Sequence, residues 1–337
     1  MPRIAGHYVG FGVRTAVDAW VRERFRRRVA ASGQAPTVVR AGDGEATAVD
    51  EYWNRHALHK HAFLSASESE AYLRRRNSDY PLFTELMELY VDHTGETILD
   101  YGCGPGDDLI GFLLYSNASR VIGMDISAKA LGFAGHRVAL HKIASARVQL
   151  LQITDAAGLI PLDDASVNYV LCGGVLHHSS HPAEILREFN RVLKPGGRAC
   201  LMLYNRDSVM YHVWIAYAQL IRNDAFPGLT VDDAFTRSTD GPDCPISIAY
   251  SPDRVLEMCR TAGFDAQFAG GYLSVLELEW LAKYGVEANK EPRLAAEHRA
   301  FVQALERDSR GLPTYRGKPA GIGGVYRLSK RGAQPGR

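Results

Sequence analysis

The 337-residue chain is 46% hydrophobic and 23% charged with a formal net charge of +1, the composition of a soluble globular protein long enough for one large or two small domains. This balance leaves no electrostatic footprint for nucleic acid, and no run approaches the roughly 20 apolar residues needed to cross a bilayer. The five cysteines, at 103, 172, 200, 244 and 259, include no Cys-x-x-Cys pair, which argues against a disulfide framework or structural zinc and for a reducing cytoplasm without stable membrane association.

Residues 13 to 30 set Val13, Val17, Trp20, Val21 and Phe25 near one helical face and crowd Arg22, Arg24, Arg26, Arg27 and Arg28 at the end. A solvated basic face complementing a helix C-terminus accounts for this, and with His7, Arg14 and Asp18 the segment is not a signal peptide. Residues 31 to 48 read as a loop. A helical pattern resumes at Asp50, followed by Ser67-Glu-Ser-Glu70 as a capping box and a helix expected around Tyr80 to Val91. His56 and His59 share a helical face, but His61 lies well round from both and no carboxylate completes a set, so no metal site is expected. Residues 1–94 are read as a helical lid, with Tyr52 and Trp53 as candidates to line a substrate pocket.

Residues 97 to 106, Thr-Ile-Leu-Asp-Tyr-Gly-Cys-Gly-Pro-Gly, are a strand running into a glycine turn, and Asp-Asp-Leu-Ile-Gly-Phe then begins a helix. Glycines at 102, 104 and 106 let a ligand approach the backbone, and the helix N-terminus suits a carboxylate or phosphate. The third glycine of a dinucleotide fingerprint would fall on Asp107, and no Gly-Lys-Ser/Thr follows for a P-loop. A second strand, Arg120 to Asp125, ends in an acid where a βαβ unit holds ribose hydroxyls. Ser127 then caps a helix to about 140. A third apolar run, 147 to 153, ends at Thr154-Asp155-Ala156.

The Asp-x-Gly-x-Gly-x-Gly stretch from Asp100 to Gly106 resembles the first motif of the class I S-adenosylmethionine-dependent methyltransferases. Blocks similar to that family's later motifs follow in order: Asp155-Ala156, the segment 160 to 178 ending Cys-Gly-Gly-Val-Leu-His-His, and Leu193-Lys-Pro-Gly-Gly197 before a strand to Tyr204. Where the family usually carries Asp, this chain has Asn168, which puts a structural hydrogen bond in doubt. The resemblance covers about 97 to 204 closely. It implies a Rossmann-like, doubly wound, mostly parallel α/β sheet over 95–204, an acceptor cap at 205–250, and completion of the sheet by 251–337. S-Adenosylmethionine is the implied cofactor and S-adenosylhomocysteine the product. The implied cofactor residues are Asp100, Gly102, Gly104, Gly106, Asp125, Ile126, Asp155, Ala156 and Cys172, with Asp125 on the ribose, Asp155 on the adenine amino group and the Ala156 N–H on the ring.

From Ser251 a Ser-Pro start and a closing Gly263 mark another helix, and 322 to 329 reads as a closing strand. The aromatics of 205–250 and 272–320, Tyr211, Trp214, Tyr217, Phe226, Phe235, Trp280 and Tyr315, read mainly as core, while these segments shape the acceptor pocket. His177, His178, Tyr204 and His212 are the candidate acceptor-side groups. Neighbouring strand residues point to opposite faces, so His178 is favoured as the base and His177 as packed. The expected acceptor is a hydroxyl or amine of a small molecule of secondary-metabolite or glycan type, and the expected self-association is a homodimer. The alternatives are a cofactor-binding protein without catalysis and a peptide or protein methyltransferase.

Overall fold

The computed structural model describes residues 35–41, 44–56, 63–156 and 158–331. The basic segment 13–30, His59 and His61 lie outside these. The strands are β1 (Val38–Arg40), β2 (Thr97–Tyr101), β3 (Arg120–Asp125), β4 (Val148–Gln152), β5 (Val167–Gly173), β6 (Leu193–Tyr204), β7 (Phe264–Tyr272), β8 (Glu306–Arg307), β9 (Pro313–Tyr315), β10 (Lys318–Pro319) and β11 (Gly323–Lys330). Eight of them form one sheet in the order β1-β4-β3-β2-β5-β6-β11-β7, and β8, β9 and β10 form a separate small antiparallel sheet. Pairings from β1 across to β6 are parallel, and β11 runs antiparallel to both β6 and β7. This is the Rossmann-like α/β architecture expected from the sequence.

The near-continuous apolar strands follow from having both faces covered. In β2, Ile98 joins the core beneath helices Asp107–Tyr115 and Ala128–Leu140, whereas its neighbour Leu99 joins the core beneath Pro182–Val192 and Pro252–Thr261. Alternation along one strand therefore feeds two hydrophobic layers. At the other face of the Asn168 question, the side-chain oxygen accepts from Thr97 N at 3.0 Å and from Lys194 Nζ at 3.0 Å. An amide oxygen thus keeps a tie between β2, β5 and the start of β6.

The N-terminal elements differ from the sequence reading. Strand β1 lies inside the expected loop 31–48, paired in parallel with β4. Ser65 rather than Ser67 caps helix Ala66–Ser78, its Oγ accepting from Glu68 N at 3.2 Å while the Glu68 carboxylate accepts from Leu64 N at 2.8 Å. The helix expected over Tyr80 to Val91 shortens to Phe83–Leu86 because Leu82, Glu88 and Tyr90 adopt left-handed backbone, which interrupts the helical ladder. Its apolar residues are buried all the same: Phe83, Leu86, Met87 and Leu89 complete one layer of the core.

The cap consists of a π-helix, Met210–Arg222, and helices Val231–Thr239, Val275–Lys290 and Ala296–Gln303. It has apolar clusters of its own, to which Tyr211, Tyr217 and Phe235 contribute, and Trp214 stacks on Trp280 at 4.4 Å. Glu277, fully buried, ties the cap to the sheet: its carboxylate accepts from Met210 N at 3.0 Å, Ser274 N at 2.9 Å and Ile322 N at 3.2 Å. Among the described residues, no helix is long and apolar enough to cross a membrane.

Candidate active site

Strand order reverses between β2 and β5, and in open α/β sheets ligands bind in the crevice at such a point, outside the carboxyl ends of the strands. The glycine turn leaves β2 there, with Gly102, Gly104 and Gly106 all at positive φ. The three glycines serve different ends. A Cβ on Gly102 would lie 2.1 Å from Val175 Cγ2, and one on Gly106 would lie 3.0 Å from the Ala134 Cβ, so both permit close packing of neighbouring elements. A Cβ on Gly104 would meet nothing within 4 Å, and this glycine lines the cavity.

At the end of β3, Asp125 Oδ2 accepts from Gly104 N at 2.8 Å and Oδ1 from Ser127 N at 2.7 Å. Burial pushes this carboxyl up to about 6, and the two backbone donors pull against it. A carboxylate offers about four acceptor positions, so roughly two remain for hydroxyl donors from the cavity. Beyond β4, Asp155 accepts from the Ser179 hydroxyl and from Ser180 N at 2.9 Å, while its own N–H donates to Asp50 Oδ1 at 3.0 Å. The turn after β5 and helix Ala48–His56 thus hold Asp155 in place. One cavity brings together Gly102, Gly104, Asp125, Ile126, Asp155 and His178, with Trp53 from the N-terminal helix.

Four residues expected at the cofactor do not line that cavity. Asp100 is buried within β2, where desolvation raises its carboxyl well above the usual range and one oxygen has no hydrogen-bond partner. Cys172 is buried in β5, its thiol raised by burial. Gly106 faces the helix at Ala134, and Ala156 packs beside Gly44. Conversely, Arg76 lines the cavity and binds Asp108 in bidentate fashion at 3.0 and 2.9 Å. In sequence it is the last of three consecutive arginines, Arg74 to Arg76, and nothing in the spacing sets it apart. Neighbouring Asp107 is paired with the buried Arg137.

On the acceptor side, β5 ends at Gly173 and both histidines lie on a 3₁₀ turn, Leu176–His178, so alternation along a strand does not decide between them. Packing does. His177 is fully buried, accepts from Tyr204 N through Nδ1 at 3.1 Å and stacks on the Tyr204 ring; burial holds its pKa well below the usual value. His178 reaches the cavity, donates from Nδ1 to Ile246 O at 2.7 Å, and touches Trp53 with ring centroids 4.8 Å apart. Burial lowers its pKa too, while Asp240 opposes the shift. Tyr204 does not line the cavity but stands behind the histidines and donates its hydroxyl to Asp240 Oδ1 at 3.1 Å.

His212 is elsewhere. It pairs with His298 in the cap, Nδ1 to Nδ1 at 2.8 Å, stacks on Phe301, and burial depresses it to about 3. Tyr52 also supports rather than lines the site, its hydroxyl donating to Asp240 O. Asp240 was missed by sequence reasoning although it touches four segments: it accepts from Tyr52, Tyr204 and Ser247 and faces His178.

Residues 92–236 match a family described as a methyltransferase domain. Among characterised and uncharacterised relatives, the chain is 35% identical over 145 residues to an uncharacterized 37.1 kDa protein in a transposon of Streptomyces fradiae, covering 42% of this chain and 36% of that one. It is 33% identical over 183 residues to the probable methyltransferase ltbC of Aspergillus luteorubrus, covering 52% and 59%. A ubiquinone biosynthesis O-methyltransferase of Paraburkholderia xenovorans is 28% identical over 141 residues, covering 42% and 58%. The match therefore spans less than two thirds of the length of each of these relatives. With the ordered motifs, the sheet order and the cavity at the switch point, residues 92–236 form a methyltransferase domain similar to those of the class I S-adenosylmethionine-dependent methyltransferases.

Proposed function

We propose that this chain transfers a methyl group from S-adenosylmethionine to a hydroxyl or amine of a small molecule, with the acceptor entering from the side of Trp53 and His178. The observation that carries the reading is the continuity of one cavity from Gly104 and Asp125 to His178. The cofactor supplies an electrophilic methyl on a good leaving group, which leaves the protein to orient the acceptor and help its proton depart. Gly102 and Gly104 admit close approach, Asp125 takes the ribose hydroxyls, and Asp155 and the adjoining backbone sit where the adenine belongs. His178 Nε2 marks the corner where the acceptor's proton leaves. His177 and Tyr204 hold that corner in shape. The relatives named for ubiquinone biosynthesis support the acceptor class, and the near-neutral net charge of +1 weighs against nucleic acid.

The test is formation of S-adenosylhomocysteine with a panel of hydroxylated and amino small molecules. Turnover by the wild type, with a single-turnover rate at least tenfold lower in His178→Ala at equal cofactor affinity, is expected. Cofactor binding without turnover across the panel points to a non-catalytic binding protein, and turnover with peptides alone to a protein methyltransferase.

A further inference from the structure

The corner occupied by His178 contains more than a base. Donor atoms of His178, Asp240 and Cys244 all lie within 4.8 Å of one another. The His178 and Asp240 side chains are only 7% and 6% exposed, and Cys244 is equally buried. His178 Nε2 stands 3.8 Å from Asp240 Oδ1, too far for a hydrogen bond. Two nitrogen or oxygen ligands of one tetrahedral zinc lie roughly 3.4 Å apart, given bonds of about 2.0 to 2.2 Å. The gap is close to what an ion between them requires.

The surroundings of the three groups point the same way. Metal-bound histidines commonly donate their second ring N–H to a carbonyl or carboxylate, which fixes the tautomer. Here Nδ1 donates to Ile246 O at 2.7 Å, leaving Nε2 as the free lone pair. Asp240 accepts from Tyr204 Oη at 3.1 Å and Ser247 Oγ at 2.9 Å, which orients it without exhausting its acceptor positions. The Cys244 thiol donates to the same Ile246 oxygen at 3.3 Å, a bond it gives up together with its proton on ligating a metal.

We propose that His178, Asp240 and Cys244 form a zinc-type divalent metal site at the acceptor end of the cavity, with a fourth position open to the acceptor's hydroxyl. One cysteine, one aspartate and one histidine leave the site without net charge around a divalent ion, which a buried location favours. Three protein ligands and one open position are the arrangement of catalytic zinc; a hydroxyl at the open position would be acidified and would lose its proton to water, with His178 Nε2 then a ligand rather than the base. This narrows the acceptor from hydroxyl or amine to hydroxyl, a consequence that rests on the proposed methyl transfer, whereas the metal site stands on its own geometry. It also reverses the expectation from the sequence that no metal site exists.

The experiment uses the full chain, dialysed against a chelator and titrated with Co²⁺ while absorption is recorded, with S-adenosylhomocysteine affinity measured on the same samples. Wild type is expected to bind one equivalent with a sulfur-to-cobalt charge-transfer band. Cys244→Ser loses that band, and Asp240→Asn and His178→Ala each weaken Co²⁺ binding at least about 100-fold, a loss no smaller than that seen on removing outer partners of metal ligands. The sulfur band decides, since Co²⁺ held by a histidine alone gives no such band. A wild type without the band, or a band that persists in Cys244→Ser, overturns the proposal. Unchanged S-adenosylhomocysteine affinity in the variants shows that they are folded. Cofactor binding without the cobalt band removes the metal site and leaves the proposed function intact; the band without cofactor binding does the reverse.

Discussion

Asp125 carries a titration that a cofactor held as proposed would feel. Its carboxyl is raised by burial from the ordinary carboxylate range to about 6, so the free protein holds it protonated below that pH and ionised above. Ribose hydroxyls donate to the ionised form more strongly than to the acid, and hydrogen bonds to charged groups are worth about 1.5–3 kcal/mol. Affinity for S-adenosylhomocysteine is therefore expected to be flat above about pH 7 and to fall as pH drops through 6, with proton release on binding near that pH. Calorimetry in two buffers of different ionisation enthalpy checks this, and affinity unchanged down to pH 5 contradicts it. The acid itself was legible in the sequence because it ends a strand at a fixed place in a βαβ unit. Arg76 and Asp240 were not, since one lies in a basic run and the other in a Gly-Pro-rich cap segment, and only the folded chain brings Arg76 to the cavity and Asp240 to His178.

At the scale of the element, the turn after β5 gives two adjacent buried histidines different neighbours, His178 lining the cavity and His177 packing on Tyr204. His177→Ala removes the acceptor for Tyr204 N and opens a void beneath the Tyr204 ring, so a loss of about 2–3 kcal/mol in stability is expected with cofactor affinity unchanged. Denaturant unfolding alongside calorimetry measures both; a stable variant with impaired cofactor binding contradicts the assignment. Helix Val275–Lys290 offers a second case. Removing the Glu277 carboxylate by Glu277→Ala orphans three backbone donors, at about 1–3 kcal/mol each for those left buried, so a total of about 3 kcal/mol or more is expected. A melting temperature within a degree of wild type contradicts the role given to Glu277. Elements with a long apolar run or a serine cap were readable: β2, β3 and the helices after Ser127 and Ser251. The three-residue β1 was too short to show a period, and β7, with Gly270 and Gly271 inside it and one strand face only partly buried, carries no strong strand signature.

For the whole molecule, the sheet is closed by segments far apart in sequence. Strand β11 lies between β6 and β7, and Glu277 bonds the start of β11 to the cap. A chain cut after Tyr250 leaves the edge of β6 unpaired and is expected to aggregate, because an exposed apolar edge is a template for association. A monomeric fragment with a cooperative melt contradicts this dependence. The central claim, that the cavity between Gly104 and His178 holds the methyl donor, meets its most direct test in a calorimetric titration of S-adenosylmethionine into wild type and Asp125→Ala at pH 7.5. One site per chain is expected, with at least a tenfold loss of affinity in the variant, the equivalent of about 1.4 kcal/mol. A wild type that does not bind, or a variant that binds as tightly, contradicts it.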